Sequence, residues 1–441
     1  MKKVFRRVFI SSGFSFIWCI AGAQKAPDTL SDVTVQACVQ YALKHYPQIQ
    51  QAMLDEQITE RQIKSRLADW YPQIGLAGSY QHYFQLPSFY FNGGVSPSGV
   101  ANSSVIALGL SQTLFNRDVL LAARTKNDVM TSIRQTTVND KINLAVNVSK
   151  AFYDVLLTAK QIDVLNDDIE RLERNLKDAY NQYRGGLVDK TDYKRATISL
   201  NNSKAERKND EESLKAKYAL LKQLMGYTAP DSLHLHYDSA QMESEIYVDT
   251  LAPVDYSKRI EFQQLMTERR LQQADVKYNK WAYLPSVNAN AAYNMNYFNP
   301  ALGGLYANNY PSSYAGLQVN LPIFQGTKRT QNIRIAELQL TRIDWDVINL
   351  QTAISTEYAQ AMAAYKGYLN NYYAERENLG LARDVFNTIE LQYRSGIKAY
   401  LDLITAETDL RTAQLVYSNA LFQVLASKLD VEKALGTVRY N

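Results

Sequence analysis

Between residues 285 and 298 the chain reads PSVNANAAYNMNYF. Val287, Ala289, Ala291, Tyr293, Met295 and Tyr297 hold the odd positions, and Ser286, Asn288, Asn290, Asn294 and Asn296 the even ones. A period of two sends the two sets to opposite faces of a strand. Three other segments repeat the pattern. Ile74, Leu76, Tyr80 and Phe84 share one phase. Ile106, Leu108, Leu110 and Leu114 alternate with Ala107, Gly109, Ser111 and Thr113. Ala315, Leu317, Val319, Leu321 and Ile323 alternate with Gly316, Gln318 and Asn320. Each predicted strand thus has a greasy face and a small or amide face.

The rest of the chain reads as long helices, and the whole plan occurs twice. YPQIGLAGSYQHYF (71–84) precedes LPSVNANAAYNMNYF (284–298) by 213 residues, Pro72 matching Pro285. Gly109 and Gly316 lie 207 apart, and QYRGG (182–186) precedes QYRSG (392–396) by 210. Gly226 and Gly436 are also 210 apart. A period this long marks a duplicated domain, not a solenoid. The predicted first repeat is 24–226 and the second 253–441, joined by an irregular segment at 227–252 that contains Pro230. Each repeat should hold a helix (32–69, 254–281), a β-hairpin (72–115, 285–324), a very long helix (118–183, 328–394) and a second helix (188–225, 398–435). Helix tips fall near 184–192 and 394–402. Sixty-odd helical residues span about 100 Å, which no globular core covers, so these helices must pack on one another. The last shows how. Leu403, Leu410, Tyr417, Val424 and Val431 recur every seven residues beside Ala406, Ala413, Ala420, Ser427 and Ala434, a coiled-coil seam. The matching row in the first repeat is rougher, with Asp210 and Lys217 where the second has small residues. One face there is wet or paired by charge.

The strands now call for a medium. Their polar faces carry Asn, Gln, Ser and Gly with almost no charge, whereas soluble sheet faces usually carry it. Aromatic residues gather at the strand ends: Tyr71, Tyr83, Phe84, Phe89, Tyr90 and Phe91 in one repeat, Tyr283, Tyr297, Phe298, Tyr310, Tyr314 and Phe324 in the other. This is the girdle expected at a membrane interface, and it favours a membrane barrel over a soluble β-sandwich. Val287, Ala289, Ala291, Tyr293, Leu317, Val319 and Leu321 would face lipid. Asn288, Asn290, Asn294, Gln318 and Asn320 would face a watery lumen. Four strands cannot close a barrel, for which ~8 is the minimum. Open edges in lipid leave backbone groups unpaired, so copies must pool their strands. Two copies give eight and three give twelve; the pattern alone does not choose.

Composition narrows the compartment. The N-terminus has a basic start (Lys2, Lys3, Arg6, Arg7), an apolar run from Val8 to Ile20, and Ala21-Gly22-Ala23 as a cleavage site. This predicts a signal peptide over 1–23. Without its four basic residues the chain has 44 Lys and Arg against 44 Asp and Glu. The formal +4 charge therefore comes from the signal, and nothing points to nucleic acid. Trp18 is too large for the residue before a lipid-modified Cys19. Cleavage leaves Cys38 alone, a small core residue with no disulfide partner.

The signal, the duplicated plan, the YLP strand start (283–285), the LPIFQGTKR strand end (321–329) and the QYRxG helix breaks together resemble the TolC family of outer-membrane efflux proteins. The resemblance spans nearly the whole mature chain. It implies a mixed α/β membrane protein, a homotrimer that joins a twelve-stranded transmembrane β-barrel in outer-membrane lipid to a long α-helical coiled-coil barrel in the periplasm. It implies an exit duct for small molecules, docked on a periplasmic adaptor (membrane fusion) protein and an inner-membrane transporter. By motif position the family's tip latch maps onto Asp192, Thr191, Lys398 and Tyr393, with Lys398 where the family often has Arg. Asp402 matches the first of two pore-narrowing carboxylates, and Thr405 replaces the second. Gly185, Gly186, Leu187, Gly396 and Ile397 would form the tip turns and meet the adaptor.

No catalytic constellation is present: no HExxH, GxSxG, P-loop, GxGxxG or paired CxxC. No cofactor or enzyme activity is expected. His234-Leu-His236 is the nearest approach to a metal motif and reads as incidental. Two alternatives stand beside the efflux duct: the same fold serving type I protein secretion, and a soluble periplasmic coiled-coil scaffold with a β cap.

Overall fold

The computed structural model describes residues 33–91, 93–186, 188–228, 233, 235–236, 239–251 and 253–440. The expected signal, Cys19, Leu187, Pro230 and His234 lie outside them.

The first repeat opens with two helices where one was expected, α1 (Val35–His45) and α2 (Pro47–Ala68). Pro47 has no amide hydrogen to donate and pushes the residue before it out of the helical region. Tyr46 is accordingly extended, at φ −65° and ψ 124°, and Pro47 takes the first position of α2. Strands β1 (Gln73–His82) and β4 (Asn102–Phe115) follow. Between them, in the turn-rich stretch 87–99, β2 (Ser88–Phe91) and β3 (Gly94–Pro97) form a small hairpin. Next come α3 (Arg117–Arg184) and α4 (Lys190–Met225). A short helix, α5 (Ser239–Ser244), lies in the connecting segment. The second repeat has α6 (Ile260–Lys280), β5 (Ser286–Asn299), β6 (Tyr310–Asn320), α7 (Lys328–Arg394) and α8 (Tyr400–Leu435). Here too the first helix starts later than expected, after a 3-10 turn at Tyr256–Lys258 capped by the Asp255 carboxylate.

The duplication explains both interruptions. Gly226, left-handed at φ +65°, ends α4 against the backbone of His45 and Tyr46. Gly436, at φ +69°, ends α8 against the carbonyl of Lys258. In each repeat the tail of the last helix seats in the break before the strand-leading helix.

At 68 residues, α3 is about 100 Å long. It packs against α4, α6, α8 and α2, and α7 packs against α8 and α6. The main core lies across the helix middles. It joins Cys38, Ile49, Phe152, Val155, Leu221, Met225, Tyr365, Tyr372, Leu421 and Val424. A smaller core near the tips holds Ala179, Ala196, Phe386, Tyr400, Leu403, Ala406 and Leu410. The α8 seam is buried at Leu403, Leu410, Val424, Val431, Ala406, Ala420, Ser427 and Ala434. In the rougher first-repeat row, Lys217 bonds the Asp154 carboxylate at 2.9 Å and the Thr158 hydroxyl at 2.7 Å on α3. Charge pairing replaces small-residue packing.

The four long strands form one antiparallel sheet in the order β1-β4-β5-β6. Its edges, β1 and β6, belong to different repeats.

Candidate functional site

The register decides which side chains share a face. Ile74 pairs with Leu110 and Leu76 with Leu108. Leu110 pairs with Ala291 and Leu108 with Tyr293. Ala291 then meets Ala315, Ala289 meets Leu317, and Val287 meets Val319. Paired residues lie on one side of a sheet, so the apolar sets of all four strands merge into one continuous face. The opposite face collects Asn288 beside Gln318, Asn290 beside Gly316, Asn294 beside Ser312, and Asn320 beside Ser286. The Asn294 and Asn296 amides donate to Ser312 Oγ at 3.4 and 3.2 Å. No Asp, Glu, Lys or Arg occurs in any of the six strands.

Leu321 departs from the expected set. Pairing stops at Asn320, opposite Ser286, so Leu321 lies one residue past β6. Pro285 and Pro322 flank this last rung, and neither has an amide hydrogen to extend the ladder. A bulge at Leu114 also breaks the phase of β4, where Thr113 and Phe115 pair with neighbouring residues of β5.

The middle of the apolar face lacks cover within the chain; only its end at Asn102 and Ser104 is buried, beneath Pro300 and Tyr306. Ile74 and Leu76 are each 72% exposed and Leu317 is 69% exposed. A patch of this size and polarity marks contact with lipid or a partner. Among the described residues no helix is long and apolar enough to cross a membrane; the sheet is the part with the dimensions to do so, since ~9–11 tilted residues suffice. At one end Arg117, Arg124 and Arg329 stack on Tyr278, Trp281 and Tyr283 at 4.4–4.9 Å, and Ile323 and Phe324 are strongly exposed.

The helix tips lie at the other end. Gly186 and Gly396 take φ +71° and +74°, a conformation that favours glycine; Gly185 is right-handed at φ −77°. Ile397 is among the most exposed apolar residues. The Asp189 carboxylate caps α4, accepting from the Thr191 amide at 2.8 Å and its hydroxyl at 2.6 Å. These bonds hold Asp189 below the usual carboxylate range. The Tyr393 hydroxyl donates to Gln182 Oε1 at 3.5 Å, joining the ends of α7 and α3. Burial raises the Tyr393 phenol, and the Asp178 and Asp192 carboxylates raise it further. Lys398 and Asp192 are not paired within the chain. Lys398 turns instead to Asp402, four residues on, at 3.8 Å. Asp402 also accepts from the Ala399 amide at 3.3 Å as a cap of α8.

Sequence reasoning missed two clusters. In the first, the segment around α5 is fastened to the second hairpin. Tyr365 Oη donates to the Ile246 carbonyl at 2.8 Å and accepts from the Val248 amide at 3.2 Å. Tyr417 donates to Glu243 at 2.6 Å and Lys428 to the Glu245 carbonyl at 2.6 Å. In the second, α3, α4 and α8 meet at a buried set of charges. The Asp168 carboxylate accepts from Ser203 at 2.8 Å, Arg411 at 3.2 Å and Arg171 at 3.4 Å. Glu407 accepts from Arg171 Nε at 3.3 Å and Asn175 at 2.9 Å. The available signal was a Glu beside the small-residue row of α8, with Arg four residues later. Among the described residues no group of three or more His, Cys, Asp or Glu is placed to hold a metal ion.

The sequence profile of the family described as "Outer membrane efflux protein" matches residues 38–227 and 257–437. "Outer membrane protein TolC" of Escherichia coli is 20% identical over 402 residues, covering 89% of this chain and 80% of that protein. "Toluene efflux pump outer membrane protein TtgC" of Pseudomonas putida is 22% identical over 414 residues, covering 92% and 83%. Among solved structures, the open state of the Neisseria gonorrhoeae MtrE outer membrane channel superposes with a TM-score of 0.74 at 18% identity, covering 95% of this chain and 97% of that one.

Proposed function

The chain belongs to the outer membrane efflux protein family, and from that premise we propose that three copies form a passive exit duct for small molecules across the outer membrane. The observation that carries this reading is the sheet: one apolar face shared by four strands, one uncharged amide face, and two unpaired edges. The edge strands run in opposite directions, so β6 of one copy continues the antiparallel ladder on β1 of the next. Twelve strands then close with no edge in lipid. Asn288, Asn290, Asn294, Gln318 and Asn320 would line the lumen, polar without a charge to retain cargo. The helices would carry the conduit into the periplasm. Their tips, with Gly185, Gly186, Leu187, Gly396 and Ile397, would dock on a periplasmic adaptor serving an inner-membrane pump. Energy would come from that pump.

The tip would be the gate. Thr191, Asp192, Tyr393 and Lys398 would hold the hairpins together, and Asp402 would narrow the pore. Lys398 would leave Asp402 for Asp192 in the latched state, because one ammonium serves one carboxylate well at a time. A Lys latch lacks the two-pronged grip of Arg and should release readily. Opening would be a two-state change biased by the adaptor. Planar-bilayer recordings of the full-length protein test the duct and latch together. Asp192→Ala combined with Lys398→Ala should raise single-channel conductance; an unchanged value sinks the latch. A detergent-extracted mass other than a trimer sinks the duct.

A further inference from the structure

The buried charges at the meeting of α3, α4 and α8 are placed to do more than fill space. Helices α3 and α4 form one hairpin and α7 and α8 the other. Asp168 and Arg171 come from the first, Glu407 and Arg411 from the second, and every ion pair but one bridges the two. The carboxylate side chains of Asp168 and Glu407 are 1% and 2% exposed. We propose that Asp168, Arg171, Glu407 and Arg411 form a proton-sensitive clasp between the two hairpins, tight in acid and loose above neutral pH. The proposal builds on the duct reading only where it concerns conductance.

The two carboxylates share their partners unequally. Asp168 has two guanidinium groups and the Ser203 hydroxyl of α4. Arg411 is further committed to Ser203, at 2.6 Å. Glu407 has one long contact to an Arg171 already used by Asp168, and the neutral Asn175 amide. On the α7 side the Phe386 ring lies 5.8 Å from the Arg171 guanidinium and contributes no charge. Tyr400, two turns tipward on α8, is neutral near pH 7 because burial, chiefly, and Glu407 both raise its phenol. Burial first, and the Asp168 charge second, lift Glu407 from 4.5 to about 7.

The sign follows from hydration. Parted hairpins expose Glu407 to water and return it toward its ordinary value. Between pH 4.5 and about 7 the clasped state therefore holds a proton that the parted state has lost. Acid favours the clasp by up to about tenfold per pH unit. Above about pH 7 Glu407 is ionised in both states, and the clasp carries its full desolvation cost.

The test uses the full-length protein, in detergent for melting and in planar bilayers for conductance. From pH 5.5 to 8 the wild-type ratio of clasped to parted states should fall by about 30-fold per subunit, lowering the melting midpoint and raising mean conductance. Glu407→Gln, which mimics the protonated side chain, should hold both readouts at their acid level. Asp168→Asn, which removes the neighbouring negative charge, should move the inflection to lower pH. A Glu407→Gln protein that keeps the wild-type pH profile overturns the clasp, as does an unmoved inflection in Asp168→Asn. If no variant conducts but the melting profiles change as described, the clasp stands and the duct fails. If pores form and neither variant alters its profile, the duct stands and the clasp fails.

Discussion

Four glycines adopt nearly the same left-handed backbone in very different surroundings, which makes them a controlled comparison. Gly186 and Gly396, at the tips, have nothing within 4 Å of where a Cβ would project. Gly226 and Gly436, at the C-termini of α4 and α8, do not have that space. A Cβ at 226 would stand 2.6 Å from the His45 carbonyl oxygen, and one at 436 would stand 2.8 Å from that of Lys258. Ala at the tips should incur only the left-handed backbone penalty, about 1–2 kcal/mol. Ala at 226 or 436 adds an overpacking term of ~1–3 kcal/mol, because the obstacle is backbone and cannot swing aside. Gly226→Ala and Gly436→Ala should therefore melt several degrees below Gly186→Ala and Gly396→Ala in one detergent, followed by near-ultraviolet circular dichroism. Asn separates the two terms, since it tolerates the left-handed region better than Ala. Gly396→Asn should recover much of the loss, while Gly436→Asn should recover none. Equal losses at all four positions, or recovery at 436, would refute the seating of each helix tail in the break of its own repeat.

Further outcomes follow from the same geometry. Ala291→Lys, on the apolar face in mid-strand, should destabilise the assembled protein by ~2–4 kcal/mol and lower the yield of heat-resistant oligomer on gels, whereas Asn290→Lys should be tolerated; equal yields would contradict the assigned faces. Tyr365→Phe removes both bonds to the segment at 246–248, so limited proteolysis should cut near α5 sooner, with the long helices intact. Cys38 is fully buried, and burial pushes its thiol up to about 12. It stays protonated across the ordinary range and should resist maleimide at pH 8 until the protein is denatured. Rapid labelling of the native protein would show that the α1 region opens.

What could be read beforehand followed from strong local rules. The glycine breaks bound the long helices, so α3, α7 and the tips lay close to their expected ends. The period of two gave each strand its faces, except at the Leu114 bulge and past Asn320, and the register then joined them. Pro47 was the clearest loss: an apolar period that runs through a proline conceals a break that the backbone cannot avoid. The β2–β3 hairpin had a signal too, an Asn-Gly pair directly after Phe89, Tyr90 and Phe91, obscured by the many turn residues around it. Side-chain pairing at the tip was harder to foresee. Lys398 has Asp402 four residues on, across the start of α8, and a partner near in sequence competes well against a distant one. The cluster around Asp168 was invisible for another reason. Its bonds between helices join residues 35 to 243 apart, and each member looks alone like an ordinary polar residue on a helix face.

The two free edges of the sheet also bear on inheritance. They come from different repeats, so in the proposed ring every seam between copies would join the first half of one subunit to the second half of its neighbour. Such a head-to-tail ring closes only if each member is sound at both ends. A subunit with a ruined β6 still offers a good β1, enters the ring, and leaves it unclosed. In a cell making equal amounts of sound and damaged chains, about one ring in eight would be wholly sound if three subunits mix at random. A mutant allele with a damaged edge should thus be dominant over the normal one, while an allele that prevents the chain from being made at all should be recessive.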